Sequence, residues 1–182
     1  MPFEFEKTPI PEVVLVKPKV FGDSRGYFLE SYKKSDFINA GIEVDFVQDN
    51  HSCSSKGVLR GIHYQLPPYV QAKLVRVVTG AVLDVAVDLR RSSSNFGQWI
   101  AHELSEENSQ MLYIPEGFGH AFLTLRDNTH FLYKCSADYS KSSEAGVHFH
   151  DPHLNISWPE MELVVSDKDR NLPGLYEAEV FE

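Results

Sequence analysis

The chain has only two cysteines among its 182 residues, Cys53 and Cys135, and they lie in unrelated sequence contexts. A disulfide framework needs several paired cysteines, and a CxxC motif needs two cysteines three positions apart. We therefore expect neither feature in this protein. No apolar run reaches the roughly 18 residues of a membrane-spanning helix. The first residues, MPFEFEKTPIPE, lack the basic and apolar regions of a secretory signal. We therefore expect a cytoplasmic protein that does not enter a membrane.

Positive charge is also scarce. The chain has 17 Lys and Arg against 26 Asp and Glu, which gives a formal net charge of −9. Binding to a phosphate backbone needs a basic surface, so we do not expect a nucleic-acid-binding protein. A small anionic ligand stays compatible with this charge if a few Arg and Lys converge. The content of 42% hydrophobic and 24% charged residues is typical of a globular protein, and residues 1–182 fit one domain.

Short apolar or alternating segments recur along the chain and predict β-strands separated by turns. These segments are 13–21, 27–32, 44–50, 73–80, 81–90, 98–104, 110–115, 119–125 and 130–136. KKSDFINAG (33–41) predicts a helix with Ser35 as its N-cap and Gly41 as its end, and SDKDRNLPGL (166–175) predicts one helical turn. Many short strands at regular spacing predict a mainly β fold, a sandwich or jelly-roll barrel with a few short helices.

The segment LDVAVDL (83–89) alternates between large apolar residues on one face and Asp84, Ala86 and Asp88 on the other. A row that carries two carboxylates faces solvent or lines a cavity. Solvent exposure is the commoner case for carboxylates, so it is the expectation for this row.

Arg60 and His63 lie three positions apart in GVLRGIHYQ (57–65), within an apolar segment. Residues three apart on a regular strand point to opposite faces. A bulge or twist near Gly61 is needed if both are to line one cavity, and a glycine permits it. Taken alone, a buried histidine such as His63 is more often a hydrogen-bonded core residue than a functional one.

The segment PEGFGH (115–120) has the P-x-G-x-x-H pattern that forms the second half of the cupin signature. In metal-binding cupins an earlier H-x-H with a following Glu completes the site. Here the corresponding segment is GIHYQ, with Gln65 where the second histidine would stand. His63 and His120 alone fall short of the three protein ligands that a zinc or iron site needs, so we expect no metal. His120 is then a cavity histidine that orients its neighbours.

Motifs spread over nearly the whole chain resemble the dTDP-4-dehydrorhamnose 3,5-epimerase family of cupin-like sugar-nucleotide enzymes. They include FGDSRGYFLESY (21–32), FVQDNHSCSSKGVLRGIHYQ (46–65), YIPEGFGHAFLTL (113–125), LYKCSADYS (132–140) and SDKD (166–169). The order of RGxFxE, QDN, LRGxHYQ and YK carries the resemblance. It implies a cupin-like jelly roll that inverts C3 and C5 of a 4-keto-6-deoxyhexose attached to dTDP, for the supply of L-rhamnose. It also implies that no cofactor or metal takes part.

The resemblance implies four catalytic residues. His63 matches the base, and Asp169 matches the carboxylate that orients it. Tyr133 matches the acid on the opposite face of the sugar, and Lys73 matches a lysine near the sugar carbonyl. From the spacing alone, packing in the barrel is the favoured interpretation of Tyr133, and Lys73 could face solvent. Asp84 is a rival partner for His63.

The resemblance also implies a set of substrate-binding residues. Arg25 suits a phosphate because its guanidinium fork binds oxyanions, and Arg60 suits the diphosphate or the enolate. Tyr27, Phe28 and Tyr139 are candidates to stack on thymine. Some nucleotide contacts are expected from a neighbouring subunit through an exchanged N-terminal segment, which implies a homodimer. The substrate-binding residues are Arg25, Phe28, Glu30, Gln48, Asn50, Arg60, His120, Tyr139, Glu144 and Lys168.

Three alternative functions differ in what they require. A mono-epimerase that acts only at C3 or C5 shares most of the motifs. The segment HFHDP departs from the family pattern, with Phe149 and His150 where Trp and Asn are common. This departure leaves the identity of the bound nucleotide sugar open. A metal-dependent cupin oxygenase would need the missing H-x-H. A noncatalytic sugar-nucleotide binding module need not keep His63, Tyr133 and Lys73 together.

Overall fold

The computed structural model describes residues 2–182 and consists mainly of short β-strands, which confirms the predicted fold class. The strands are β1 Phe3–Lys7, β2 Val14–Pro18, β3 Val20–Asp23, β4 Gly26–Leu29, β5 Gln48–Ser54, β6 Val58–Gln65, β7 Lys73–Thr79, β8 Ala81–Asp88, β9 Trp99–Ser105, β10 Met111–Ile114, β11 Phe118–Thr124, β12 Thr129–Cys135, β13 Glu144–Gly146 and β14 Val164–Val165. The helices are α1 Lys34–Asn39 and α2 Asp167–Arg170. Within residues 2–182, neither helix is long and apolar enough to cross a membrane.

Two antiparallel sheets pack against each other. The first sheet has the order β1-β2-β10-β7-β12-β5, and the second has the order β13-β6-β11-β8-β9, with β14 added parallel to β6. Apolar side chains from both sheets form the core between them, among them Val75 of β7, Ala86 of β8, Phe122 of β11 and Phe131 of β12. The β3–β4 hairpin pairs with neither sheet. The arrangement is the jelly roll that the strand spacing predicts, in the cupin-like form that the family resemblance implies.

The predicted strand ends differ from the observed ones mostly near the N-terminus. The segment 13–21 divides into β2 and β3 at Lys19, and the segment 44–50 becomes extended in a sheet only from Gln48. Three short strands were not predicted from the sequence: β1, in which apolar and charged residues alternate (FEFEK), and the very short β13 and β14. These elements owe their pairing to distant strands, because β1 pairs with β2 and β14 with β6.

The acidic row of β8 lies between the two sheets, so the expectation that it faces solvent is wrong. Asp84 and Asp88 are fully buried. His120 Nε2 lies 2.8 Å from Asp84 Oδ2, and Arg90 donates to Asp88. Burial of a carboxylate is costly unless a partner compensates for the lost hydration, and both carboxylates have one. The alternation along β8 is as predicted, but the polar face is the inner one.

Helix α1 begins earlier than predicted and ends as predicted. Its N-cap is Lys33, which makes no side-chain capping bond, so the prediction of Ser35 as the cap is wrong. Phe37 is buried against Phe3 and Tyr32, and this packing outweighs the capping preference of a six-residue helix. Gly41 follows the helix with a φ of 85°, the left-handed conformation that commonly ends helices at glycine.

Strand β6 contains the predicted irregularity at Gly61. His63 pairs with His120 of β11, and Arg60 pairs with Phe122, so two residues of β6 oppose one residue of β11. This is a β-bulge, and it removes the alternation that would send residues 60 and 63 to opposite faces. Both residues line the same cavity. The bulge therefore settles how an arginine and a histidine three positions apart can share one site.

Replacing Gly61 by alanine should destabilise the protein by roughly 2–5 kcal/mol, because it adds both crowding and backbone strain. A Cβ atom at this position would lie 2.5 Å from the Cβ of Ala121 and 2.6 Å from the carbonyl oxygen of His120. Gly61 also has a φ of 121°, which residues with a side chain rarely adopt. Urea unfolding of wild type and Gly61→Ala measures the loss.

Gly26 provides a matched control for the strain alone. Its φ is 124°, but a Cβ there would meet no atom within 4 Å. Gly26→Ala should therefore cost clearly less than Gly61→Ala. Equal losses would show that crowding against β11 is not what requires glycine at position 61.

Candidate active site

Two adjoining cavities share three lining residues, His63, Lys73 and Tyr133. The larger cavity, about 530 Å³, extends towards Arg60 and Asp169. The smaller, about 160 Å³, extends towards polar residues of β5 and β13. The three shared residues come from β6, β7 and β12, so the sheet topology brings together positions that are far apart in sequence.

His63 is held by Asp169. His63 Nε2 lies 2.7 Å from Asp169 Oδ1, and the Gly61 amide donates to Asp169 Oδ2 over 3.3 Å. Helix α2 positions the carboxylate, because Ser166 caps the helix and its Oγ accepts the Asp169 N–H. Burial alone would raise the pKa of Asp169, but its hydrogen bond and charge interaction with His63 lower the pKa below the ordinary value. Asp169 thus stays ionised beside the imidazole.

Tyr133 and Lys73 lie on the sheet opposite His63. The Lys73 Nζ atom is 6.0 Å from the centre of the Tyr133 ring. Burial raises the pKa of Tyr133, although the charge of Arg60 opposes this. Burial also lowers the pKa of Lys73, against the opposing influence of Cys135, Asp84 and Glu144. The phenol is therefore protonated at neutral pH, and the ammonium group is one that can lose its proton more readily than a surface lysine.

A second histidine–carboxylate pair lies at the back of the larger cavity. His120 lines this cavity and bonds to Asp84, which is therefore not the partner of His63. Burial lowers the pKa of His120, and the interaction with Asp84 only partly offsets this. His120 is then a neutral imidazole at physiological pH, able to orient its neighbours through hydrogen bonds.

The smaller cavity is lined by a connected polar network. Gln48 donates to Asn50 over 2.9 Å and accepts the backbone N–H of Tyr139 over 2.8 Å. The Tyr139 hydroxyl donates to Glu144 over 3.1 Å, and Lys168 forms an ion pair with Glu144. These five residues were all predicted to bind substrate. Four of them line the smaller cavity, and Lys168 lines the larger one.

The remaining predicted binding residues divide into two groups. Arg60 lies in the larger cavity and donates to Ser54 over 3.3 Å. Arg25, Phe28 and Glu30 lie on or beside the β3–β4 hairpin and line neither of the two cavities. Arg25 is exposed and forms an ion pair with Asp23. Within one chain, these three residues stay apart from His63.

Four residues that line the smaller cavity were not predicted from the sequence: Tyr64, Gln65, Gln71 and Cys135. The alternation of β12 could have identified Cys135, since it lies two positions after Tyr133 and so on the same face. Gln65 accepts from the Ser140 backbone over 2.6 Å and donates to Tyr69 over 2.7 Å. It therefore fixes the loop that carries Tyr139 rather than replacing a metal ligand. Among residues 2–182, no group of three His, Cys, Asp or Glu side chains is placed to hold a metal ion.

Comparisons with known proteins give consistent matches over almost the whole chain. Residues 7–177 match the family model described as dTDP-4-dehydrorhamnose 3,5-epimerase. An enzyme of that name from Shigella flexneri is 53% identical over 176 residues, which cover 96% of this chain and 97% of the relative. The crystal structure of the epimerase from Sulfolobus tokodaii has a TM-score of 0.93 and 45% identity, with 100% of both chains covered. A Legionella pneumophila epimerase in complex with dTDP-4-keto-L-rhamnose has a TM-score of 0.93 and 44% identity, covering 96% of this chain and 93% of that one.

Asp169→Asn should lower the free energy of unfolding at pH 7 by roughly 1–3 kcal/mol, because it removes a charge-assisted hydrogen bond. The pKa of Asp169 is lower in the folded state than the unfolded value of about 3.9. Its stabilisation is thus present above that unfolded value and is lost as the pH falls through the lower folded value. The difference between wild type and variant should narrow below about pH 4, as urea unfolding across pH would measure.

Asp167→Asn is the matched control, since Asp167 lies in the first turn of the same helix but is exposed. Asp167→Asn measures how the loss of one negative charge at the helix N-terminus changes the free energy of unfolding, with the bond between Asp169 and His63 left in place. An Asp169→Asn loss that is the same at pH 3 as at pH 7 would contradict the charge-assisted hydrogen bond assigned to Asp169 and His63.

Proposed function

Because the chain belongs to the dTDP-4-dehydrorhamnose 3,5-epimerase family, we propose that its paired cavities hold a dTDP-linked 4-keto-6-deoxyhexose between His63 and Tyr133. The protein is an isomerase that inverts C3 and C5 of dTDP-4-dehydro-6-deoxy-D-glucose to give dTDP-4-dehydro-L-rhamnose. The observation that carries the residue assignment is the position of His63 and Tyr133. They lie on β6 and β12, in opposite sheets, and line the same two cavities.

His63 is the base of this proposal. Both C3 and C5 flank the C4 ketone, so loss of either proton gives an enolate, and a positioned imidazole can accept that proton. Asp169 stabilises the imidazolium that forms, through the 2.7 Å bond to Nε2. His63 Nδ1 is then the atom that takes the proton from carbon. The chemistry is carried by the ketone and by side chains, and it calls for no electron transfer.

Tyr133 is the acid that returns a proton from the other side. Inversion requires that the new proton arrive on the face opposite the base, and the two residues lie in opposite sheets. Burial raises the pKa of Tyr133, so the phenol carries its proton at neutral pH. The phenolate formed at each step is stabilised by the nearby cations Arg60 and Lys73, since a charge within a poorly solvated cavity interacts strongly.

Lys73 and Arg60 also stabilise the enolate oxygen. Both line the larger cavity, and oriented cations and donors act most strongly on charge that appears during the reaction. Neutral His120, fixed by Asp84, can contribute a hydrogen bond from the back of this cavity. These groups line the cavity before substrate arrives, which limits the reorganisation that enolate formation requires.

The polar network of the smaller cavity binds the nucleotide. Gln48 and Asn50 offer the donors and acceptors that a base or sugar edge needs. Tyr139 is 56% exposed at the opening, and its ring is free to stack on thymine. Lys168 and Glu144 form an ion pair beside it that can rearrange around the sugar and phosphate groups.

A homodimer would complete this site. The β3–β4 hairpin exposes Val20, Phe21, Tyr27 and Phe28, with 46 to 64% of each residue's surface accessible. Exposed clusters of large apolar residues mark interaction surfaces. Arg25 lies at the tip of the same hairpin. The hairpin of one subunit, with Arg25, Phe28 and Glu30, would then reach the nucleotide site of its partner.

The two free cysteines support a location of the protein in a reducing compartment, the cytoplasm.

His63→Asn should abolish deuterium incorporation, whereas Tyr133→Phe should retain incorporation and lose inversion. Without His63 no base removes the carbon protons, while without Tyr133 the imidazole still exchanges them but returns deuterium to the original face. Each change should lower turnover by about 10²–10⁴-fold. The measurement is proton NMR of dTDP-4-keto-6-deoxyglucose with enzyme in heavy water, with the product trapped by a reductase.

Tyr113→Phe and His102→Gln are matched controls, because both residues lie outside the two cavities. Both variants should exchange and invert like wild type. Incorporation at one carbon only in the wild-type protein would make it a mono-epimerase. Full inversion by Tyr133→Phe would exclude the tyrosine as the acid.

Mixed dimers of Arg25→Ala and His63→Ala test whether the site is shared. Arg25→Ala alone should lower kcat/KM by about 10–100-fold, because a charged hydrogen bond to phosphate is lost. If Arg25 serves its partner's site, a mixed dimer holds one fully intact site. Random pairing makes half of the dimers mixed, with one intact site of two, so activity should reach about a quarter of wild type.

Activity of the mixture is measured against each variant alone at the same total concentration. A mixture that only averages the two variants would show that Arg25 acts within its own chain. Light scattering during chromatography gives the mass, and a monomeric wild-type protein would contradict the shared site directly.

A further inference from the structure

A pair of histidines that the epimerase reaction does not use lies on the outer face of the first sheet. His51 of β5 and His130 of β12 bring His51 Nε2 within 2.8 Å of His130 Nδ1. The ring centres are 5.1 Å apart and the planes are inclined by 47°. His51 is exposed and His130 half-buried, so solvent reaches both rings.

Strand pairing places Cys53 beside the two rings. Cys53 is directly opposite His130 in the β5–β12 register, and directly paired residues on one face have Cβ atoms about 4.5–5.5 Å apart. His51 and Cys53 are two positions apart on β5 and so share that face. The thiol is free and exposed. Two imidazoles and one thiol therefore occupy one small patch of accessible surface.

The patch lies on the other side of the sheet from the reaction cavity. Asn50, which precedes His51 on β5, lines the smaller cavity, and so does Tyr133, which follows Leu132 on β12. Neighbouring residues on a strand point to opposite faces. Occupation of the patch would therefore leave the cavity side chains free to bind substrate.

We propose that His51, His130 and Cys53 form a binding site for a divalent transition metal of intermediate softness, such as Zn²⁺ or Co²⁺. Imidazole nitrogen and thiolate sulfur are the ligands that such ions prefer. Two nitrogens bound to zinc at tetrahedral angles are about 3.3 Å apart, given zinc–nitrogen distances of 2.0–2.1 Å. The observed separation of 2.8 Å needs to widen by only about half an ångström.

Metal binding releases one proton from the site, and that proton comes from the thiol. In the present contact one of the two facing nitrogens carries a hydrogen, and metal binding requires that both present lone pairs. Each neutral ring then keeps its single hydrogen on its other nitrogen, so the imidazoles release none. The Cys53 thiol loses one proton to solvent as the sulfur–metal bond forms. Water occupies the fourth position.

The surroundings permit a cation at this patch. The nearest cationic side chain along β12, Lys134, is paired with Asp49, with 2.8 Å between Nζ and Oδ1. The three ligands are not yet gathered around one point, since residues 2–182 contain no preformed group of three. Rotation of the Cys53 side chain about its Cα–Cβ bond can bring the sulfur towards the ring nitrogens.

The test is titration of the untagged, reduced protein with Co²⁺ and, separately, with Zn²⁺. One Co²⁺ per chain should bind and give an intense near-ultraviolet charge-transfer band from the thiolate. Calorimetry should give one Zn²⁺ per chain. His51→Gln and His130→Gln should each weaken binding by at least tenfold, since even outer-shell changes cost about 10–100-fold in metal affinity. Cys53→Ser should remove the charge-transfer band.

His102→Gln is the matched control. His102 lies on another strand, β9, and its Nε2 contacts Gln110 at 2.6 Å. This variant should leave metal binding unchanged. Metal binding that survives both His51→Gln and His130→Gln would overturn the site. A charge-transfer band that persists in Cys53→Ser, or is absent from the wild-type protein, would also overturn the three-ligand assignment.

Discussion

Strands β6 and β11 approach so closely at Gly61 that the geometry of the site follows from this one contact. The bulge at this contact directs the side chains of Arg60 and His63 towards the same cavity. The same conformation lets the Gly61 amide donate to Asp169, so the carboxylate that bonds His63 is itself held by the bulge. A cation, an imidazole and its carboxylate are thus aligned by a position where any side chain would collide with the neighbouring strand.

Burial then sets the charge states of the groups around the cavity. It raises the pKa of Tyr133 and lowers the pKa values of Lys73 and His120, which in each case favours the uncharged form. Asp169 is the exception, because its interactions with His63 outweigh the desolvation. Charge that develops during a reaction in such a surrounding interacts strongly with the few fixed charges present. The site is therefore suited to chemistry that passes through an anion.

Sequence patterns predicted the regular strands of this molecule. They failed where contacts with distant segments determine which face is buried or where an element begins. Alternation placed Asp84 and Asp88 on one face of β8, but only the opposing sheet decides that this face is inside. Ser35 is a good capping residue, yet the burial of Phe37 begins the helix earlier. The candidate catalytic residues were identified through family motifs, because nothing local to SDKD shows that Asp169 meets a histidine 106 positions away. Arg25 depends on a hairpin that pairs with neither sheet of its own chain.

The segment that carries Asp169 is attached more lightly than the rest of the site. Its strand β14 has two residues, one of which, Val164, is 55% exposed, and helix α2 has four. Segments with few buried contacts open locally at a lower free energy than the whole fold. On warming, the carboxylate can therefore leave the imidazole while the sheets stay paired. Loss of activity would then precede loss of structure, and the temperature limit of the enzyme would be set by a handful of residues rather than by the core.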